Sequence, residues 1–374
     1  MLLKGYVEVF MKRKLIVLLA GLWISIFAVT GCSMIQHLNA SAQTVIDSKK
    51  ELFEEIEHAL STGETRLSFI TNELTQEDFD TLNQNIEGFY GVVKEYQIKS
   101  VKFLNKSYVT LSCEISDNYY VERAFFDSEE IPEERDKARD LYKACKSFLD
   151  RLQSKKRNDY EKEKLIHDYI VKTVAYGYPG GRQEPGGDAY SAYGALVLKK
   201  AVCNGYAEAM KLLCDLSGVN CKMIAGTADG ESHAWNLIKI DKEWYHIDAT
   251  WDDPEPDDAS RIMYTYFNVN DTQMRADHKW NAALYQKAQG KAYNYYRKND
   301  VFCEDYKSFR SKCEDILEKA SPDSIQFMVK DYDKNTYSNE NLQFILRYSG
   351  ASSLRMQMAG KSPYTTLYFK LQYE

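Results

Sequence analysis

Three side chains near the middle of the chain have the types and order that nucleophilic catalysis uses: Cys203, His233 and Asp248. A thiol becomes a strong nucleophile when a base takes its proton, and the leaving amine later needs an acid. Histidine serves both needs near neutral pH. A carboxylate on the far ring nitrogen fixes the tautomer and stabilises the imidazolium. A single cysteine is more often a small buried hydrophobe, so its surroundings have to decide between the two roles.

Cys203 stands in AVCNGYAEAMKLLCDL. From Tyr206 the apolar residues fall at Tyr206, Ala209, Met210, Leu213 and Leu216, which is helical spacing. Asn204-Gly205 can also form a hairpin turn, but the downstream residues do not alternate as a strand requires. Cys203 is therefore expected at a helix start, where the dipole and free N–H groups favour a thiolate and can receive an oxyanion. Gly205 would permit close approach of substrate or of a neighbouring strand. Cys214 and Cys221 read as buried structural thiols.

The run SHAWNLIKIDKEWYHIDATWDD reads as two strands around Asp241-Lys242. With a two-residue loop, Ile240 faces Glu243, His233 lies opposite Thr250, and Asp248 lies opposite Trp235. His233 and Asp248 are then diagonal neighbours on one face, roughly 7–8 Å apart between backbones. A three-residue loop would put them on opposite faces. His246 points to the same face and competes for the role of base. His233 is preferred because the small residues Ser232 and Ala234 flank it at the open end of the hairpin.

The stretches AVCNGYAEAMKLL, HAWNLIKI, WYHIDATWDDP, YTYFNVND and the pair Asp277-His278 resemble the transglutaminase-like core domain of bacterial exported proteins. The strong resemblance runs from about Tyr190 to His278, and KLIHDYIVKTVAY extends it weakly upstream. It implies a papain-like α+β fold, with the cysteine on a helix packed against an antiparallel sheet that bears the histidine and the aspartate. It implies Cys203 as nucleophile, His233 as base and Asp248 as the orienting acid. Tyr190 and Tyr193 are candidate oxyanion donors beside the Cys203 N–H, and Trp235 would shield the His–Asp pair. Asn236 is expected to be only a strand residue. Asp277-His278 receives no chemical role. The acidic run from Asp252 to Asp258 fits no EF-hand spacing and is expected to be a solvated turn.

The elements around this centre suggest five parts: 1–31, a lipoprotein signal peptide; 32–44, a tether; 45–130, an α+β module; 131–295, the core; and 296–374, a second α+β module. Both modules read helix, strand, helix, strand, strand, a hint of repetition. The first has a helix near Val45–Leu60, the strand RLSFIT, a helix opening near Thr75 and Glu77, then SVKFL and YVTLSCEI. The second has a helix at Tyr306–Lys319, the strand SIQFMV, a helix from about Ser338, then SLRMQMA and YTTLYFKLQY. In the core, helices are expected at Arg135–Leu152 and Glu161–Thr173, and a Gly- and Pro-rich stretch follows them.

At the N-terminus, Met11 to Lys14 supply a basic patch and Leu15 to Val29 an apolar run, followed by Thr30, Gly31 and Cys32. This is signal-peptide architecture, and V-T-G-C resembles a bacterial lipobox that would lipidate Cys32. The expected address is the outer face of the bacterial cytoplasmic membrane, held by the lipid. The net charge of −7 gives no basic face for nucleic acid. No C-x-x-C pair exists, and Cys203, Cys214, Cys221 and His233 suit no common zinc spacing, so neither metal nor cofactor is expected. The partner expected is a peptide or protein substrate, with cell-wall peptide among the candidates. The reaction expected is acyl transfer through a thioester, to an amine or to water. The rival is a binding or scaffold lipoprotein that keeps the fold without the chemistry.

Overall fold

The computed structural model describes residues 44–62, 64–75, 93–103, 106–181, 187–253 and 261–374. The signal segment, Cys32, the tether, the helix expected near Thr75 and Glu77, and most of the acidic run lie outside the described residues. Among the described residues no helix is long and apolar enough to cross a membrane. The chain divides into two compact units, the second comprising Lys143–Gly181 and Asp188–Glu374.

In the first unit, α1 (Lys49–Ser61) precedes β1 (Arg66–Thr71), β2 (Val93–Phe103) and β3 (Lys106–Ile115). The strands form an antiparallel sheet in the order β1-β3-β2. Leu52 and Ile56, four apart on α1, are buried in one cluster with Phe69, Val109 and Leu111 of the sheet. This is one turn of helix set against alternating strand positions. β2 starts seven residues earlier than SVKFL, because Tyr96 and Ile98 already alternate with polar neighbours. α2 (Asp117–Phe126) and α3 (Asp136–Gln153) follow.

The second unit continues with α4 (Asp159–Thr173), β4 (Ala175–Tyr176), α5 (Ala192–Leu196), β5 (Lys200–Ala201) and α6 (Cys203–Leu216). Asn158 opens α4 through a capping box with Glu161, satisfying N–H groups that a helix start leaves unpaired. β6 (Cys221–Ala228), β7 (Glu231–Ile240), β8 (Glu243–Ile247), β9 (Phe267–Val269), α7 (Asp271–Met274) and β10 (His278–Trp280) come next. The five strands form an antiparallel sheet in the order β10-β6-β7-β8-β9. α6 packs on β6, β7 and α4, burying Tyr206, Ala209, Met210, Leu213 and Leu216. This is the cysteine helix on an antiparallel sheet that defines the fold class.

The chain then runs through α8 (Tyr295–Lys298), β11 (Phe302–Cys303), α9 (Tyr306–Lys319), β12 (Ser324–Lys330), α10 (Asn339–Ser349), β13 (Ser353–Ala359) and β14 (Tyr364–Gln372). These strands make a second sheet in the order β11-β12-β14-β13, with β13 outermost. Its helices and strands share a core that includes Phe309, Phe327, Phe344 and Phe369. The strand order β12-β14-β13 repeats the β1-β3-β2 order of the first unit, so the two ends share their strand pairing.

A buried line of side chains ties this sheet to the five-stranded one. Thr265 donates to Thr366 at 3.0 Å, Thr366 to Tyr296 at 3.1 Å, and Tyr296 to Gln326 at 2.9 Å. Gln326 in turn donates to the Ile262 carbonyl at 3.2 Å. Thr366 and Tyr296 are fully buried, where an unmade hydrogen bond is expensive. The two sheets are therefore held in one fixed arrangement.

Candidate active site

Cys203 is the first residue of α6, after Val202 at the N-cap, and is half-buried. The start of the helix is pinned from several sides. Asn204 donates to the Tyr190 carbonyl at 2.5 Å and to Glu208 at 3.1 Å, and Glu208 accepts from the Ala192 N–H at 3.1 Å. Gly205 is required by backbone rather than by substrate: a Cβ there would lie 2.6 Å from the Ala189 oxygen and 2.8 Å from the Ala201 Cβ. Cys113, Cys203, Cys214, Cys221, Cys303 and Cys313 are free thiols.

The hairpin takes the two-residue loop, with Ile240 paired to Glu243 and Asn236 to Ile247. One step further, His233 and Asp248 meet: Nε2 lies 2.7 Å from Oδ2. This leaves Nδ1 as the ring nitrogen open to Cys203, which is among the groups acting on His233. Burial works against the charged ring, but the charge and hydrogen bond of Asp248, helped by Cys203, outweigh it and lift the pKa of His233 to about 10. Trp235 stacks on His233 with centroids 5.9 Å apart. Gly226, paired with His233 across β6 and β7, makes room for that indole; a Cβ there would sit 2.8 Å from its Cη2.

Asp248 is buried and ionised. Its Oδ2 accepts from His233 and, at 3.1 Å, from His278 Nε2; its Oδ1 accepts the Thr250 and Trp251 N–H groups at 3.0 and 3.2 Å. Burial pushes its pKa up, yet the two histidines outweigh burial and hold it below the ordinary carboxylate range. His278 has a carboxylate at each nitrogen: Asp248 at Nε2, and Asp277 at Nδ1 at 2.6 Å. Both nitrogens therefore carry protons, and although burial opposes the charge, the two carboxylates raise its pKa. Tyr266 donates to the other Asp277 oxygen at 2.5 Å. Sequence reasoning assigned this Asp-His pair no role. Its signal is a titratable pair at a strand start, and its meaning comes only from β10 pairing with β6.

His246 is on the same face, as the register implies, but its partners differ. Trp235 Nε1 donates to Nδ1 at 3.1 Å, and Nε2 faces Asp271 at 2.9 Å. Burial, foremost, lowers its pKa, and the neutral ring orients the indole that stacks on His233. Asn236 does more than fill a strand: its Nδ2 donates to the Ala207 carbonyl at 3.0 Å and so links β7 to the cysteine helix. The Tyr190 hydroxyl lies 3.4 Å from that of Tyr178, and Tyr193 belongs to α5.

The start of the acidic run is not a solvated turn. Asp252 is fully buried, accepts from the Tyr266 N–H at 2.9 Å, and faces His167 Nε2 at 3.2 Å. Burial pushes its pKa up to about 6. Burial opposes the charge of His167, but Asp168 and Asp252 lift that ring to about 9. Asp253 accepts from the Tyr206 hydroxyl. The turn after Asp248 is thus clamped from α4 and α6, which a string of acids in sequence does not reveal.

His233 Nε2, His278 Nε2 and an Asp248 oxygen lie within 4.8 Å of one another. Such donors can ligate a metal, but here protons already join them in hydrogen bonds, and a metal would have to displace those protons. Beside His233 is a cavity of about 580 Å³, lined by Trp251, Asp253, Arg261 and Met263 and by Gln357, Met358 and Ala359 of β13.

With this geometry in place, comparison with known proteins is informative. Residues 146–249 match the transglutaminase-like superfamily, and that stretch contains Cys203, His233 and Asp248. The chain is 28% identical over 123 residues to kyphoscoliosis peptidase of Homo sapiens, covering 29% of this chain and 18% of that protein. It is 27% identical over 106 residues to the Mus musculus protein of the same name, covering 25% and 16%. The chain thus spans less than a fifth of the length of these curated relatives. A crystal structure of a TGase overlaps 49% of this chain and 50% of its own at 17% identity and a TM-score of 0.27. The chain thus carries, over residues 146–249, a domain that matches the transglutaminase-like superfamily.

Proposed function

We propose that the protein is a surface-anchored cysteine acyl-transfer enzyme that acts on a peptide or protein amide. The observation that carries this reading is the 2.7 Å pairing of His233 with Asp248, with Cys203 at the start of α6 among the groups that raise the pKa of that ring. His233 takes the thiol proton through Nδ1, and the sulfur attacks the amide carbon. The developing oxyanion is received by N–H groups at the start of α6. The tetrahedral adduct expels ammonia or an amine, which leaves with the proton held by His233, and a thioester remains on Cys203. Water or a primary amine then attacks, giving up a proton to His233, and the thiolate leaves. The name peptidase borne by the relatives favours water as the acceptor.

Export and lipidation at Cys32 belong to the same proposal and rest on the N-terminal sequence. Incorporation of labelled palmitate that disappears in Cys32→Ala is the expected result. For the chemistry, iodoacetamide should label one thiol fast, and that labelling should vanish in Cys203→Ala and slow markedly in His233→Ala. A Cys203 that alkylates no faster than a free thiol overturns the enzyme reading in favour of a scaffold. Peptide amides offered with and without a primary amine separate transamidation from hydrolysis.

A further inference from the structure

The cavity beside His233 meets the C-terminal sheet in an unusual way. Gln357, Met358 and Ala359 are consecutive residues of β13, and all three line it. Successive side chains of a strand point to opposite faces, so a cavity that lay on one face would touch alternate residues. Contact with three in a row, the last three of the strand, fits a cavity that meets the open edge of β13 at its C-terminal end. β14 occupies one edge of β13, and β13 is the outermost strand of its sheet. An edge strand presents a row of N–H and C=O groups that can template another strand.

We propose that the β13 edge at Gln357–Ala359 is the substrate seat of this enzyme, binding an extended peptide by strand addition so that its amide reaches His233 and Cys203. This deepens the acyl-transfer reading and rests on it for the chemistry. The volume falls within the range of about 300–1,000 Å³ typical of ligand sites. The seat is rigid, because Thr265, Thr366, Tyr296 and Gln326 join the two sheets through buried bonds. It is also held at the rim, where Arg261 donates to Gln357. Backbone pairing would supply sequence-tolerant affinity, as in other strand-addition complexes. Met263, Trp251 and the half-exposed Met358 would favour an apolar side chain next to the reacting residue. The C-terminal sheet thereby becomes part of the enzyme rather than an appendage.

The test uses full-length Cys203→Ala protein and the fluorescein-labelled peptide Val-Ala-Gln-Ala-Val, read by fluorescence anisotropy. Each backbone amide of the peptide is N-methylated in turn. In an added strand, alternate amides face the template. Methylation should therefore weaken binding about tenfold at every second position and little between them, one lost hydrogen bond at a time. Met358→Glu should weaken the whole series. Equal losses at all positions, no losses, or no binding of the peptide overturns the strand seat. Iodoacetamide labelling of Cys203 in the unaltered protein reports separately on the chemistry. A slow thiol with alternation intact sinks the enzyme reading alone; a fast thiol without alternation sinks the seat alone.

Discussion

His278 reaches Asp248 from the far side of β6, placing its Nε2 3.1 Å from the same oxygen that His233 holds at 2.7 Å. The carboxylate that orients the candidate base is thus held by a second, doubly protonated ring, itself backed by Asp277. His278→Gln keeps a donor near Asp248 but removes the charge; His278→Leu removes both. Without that cation the pKa of Asp248 rises, since His278 is one of the groups that lower it. The acid limb of Cys203 alkylation should therefore move to higher pH in both variants, further in Leu than in Gln. Leaving a buried carboxylate short of a partner costs about 1–3 kcal/mol, so Leu should also lower the melting temperature. A limb that stays in place in both variants would show that His278 only fills space.

The elevated pKa of His233 depends on Asp248, which supplies both charge and hydrogen bond against the opposing effect of burial. In Asp248→Asn that support goes and the burial penalty remains. The ring should then titrate at or below its ordinary value of 6.5 instead of about 10, as read from its imidazole resonances by NMR. Turnover should fall by about 10²–10⁴-fold, the usual range for losing an acid–base partner. For stability the sign is fixed by the raised pKa: the contribution of His233 is fully present below its unfolded value and is lost as pH climbs through about 10. The variant should lose that alkaline slope.

What could be read in the sequence follows contact distance along the chain. The register of β7 and β8 was legible only down to the choice between a two-residue and a three-residue turn, because turn length decides which side chains share a face. The start of α6 was legible because the apolar period begins just after Cys203. The second ring on Asp248 was not, since β10 pairs with β6 across a long intervening stretch that carries no pairing signal. Asp252 and Asp253 were misread for another reason. Consecutive acids look solvated, and only the fold shows His167 and Tyr206 waiting for them. The extended start of β2 was missed because its polar residues outweigh Tyr96 and Ile98.

Gly205 is a test of how tightly the cysteine helix is seated. Its added methyl would collide with the Ala189 oxygen and the Ala201 Cβ, neither of which is the end of a flexible side chain. Gly205→Ala should therefore destabilise the protein by about 1–3 kcal/mol, the range for overpacking. It should also slow Cys203 alkylation, because relief requires the start of α6 to move away from His233. A variant with normal stability and normal labelling would show that this junction yields freely.

Glu163 on α4 offers a pH signature independent of the candidate active site. It is fully buried and accepts from Asn268 Nδ2 at 2.8 Å, while its Oε1 and the Asn268 Oδ1 have no partner among the described residues. A proton on the carboxyl removes the charge that burial disfavours there. Burial, only partly offset by Asn268 and His167, pushes the carboxyl pKa up to about 8 from 4.5. The folded state then binds the proton more tightly than the unfolded one, so stability falls as pH rises from the unfolded value through the folded one. Glu163→Gln carries a permanent donor and no charge, and removes that fall. The melting temperature of the variant minus that of the unaltered protein should climb between about pH 5 and pH 8 and flatten above it. Subtraction cancels the slopes from His167 and His233, which share this sign. A flat difference across that window would mean that Glu163 is ionised throughout, and the Gln variant would then be the less stable protein at every pH.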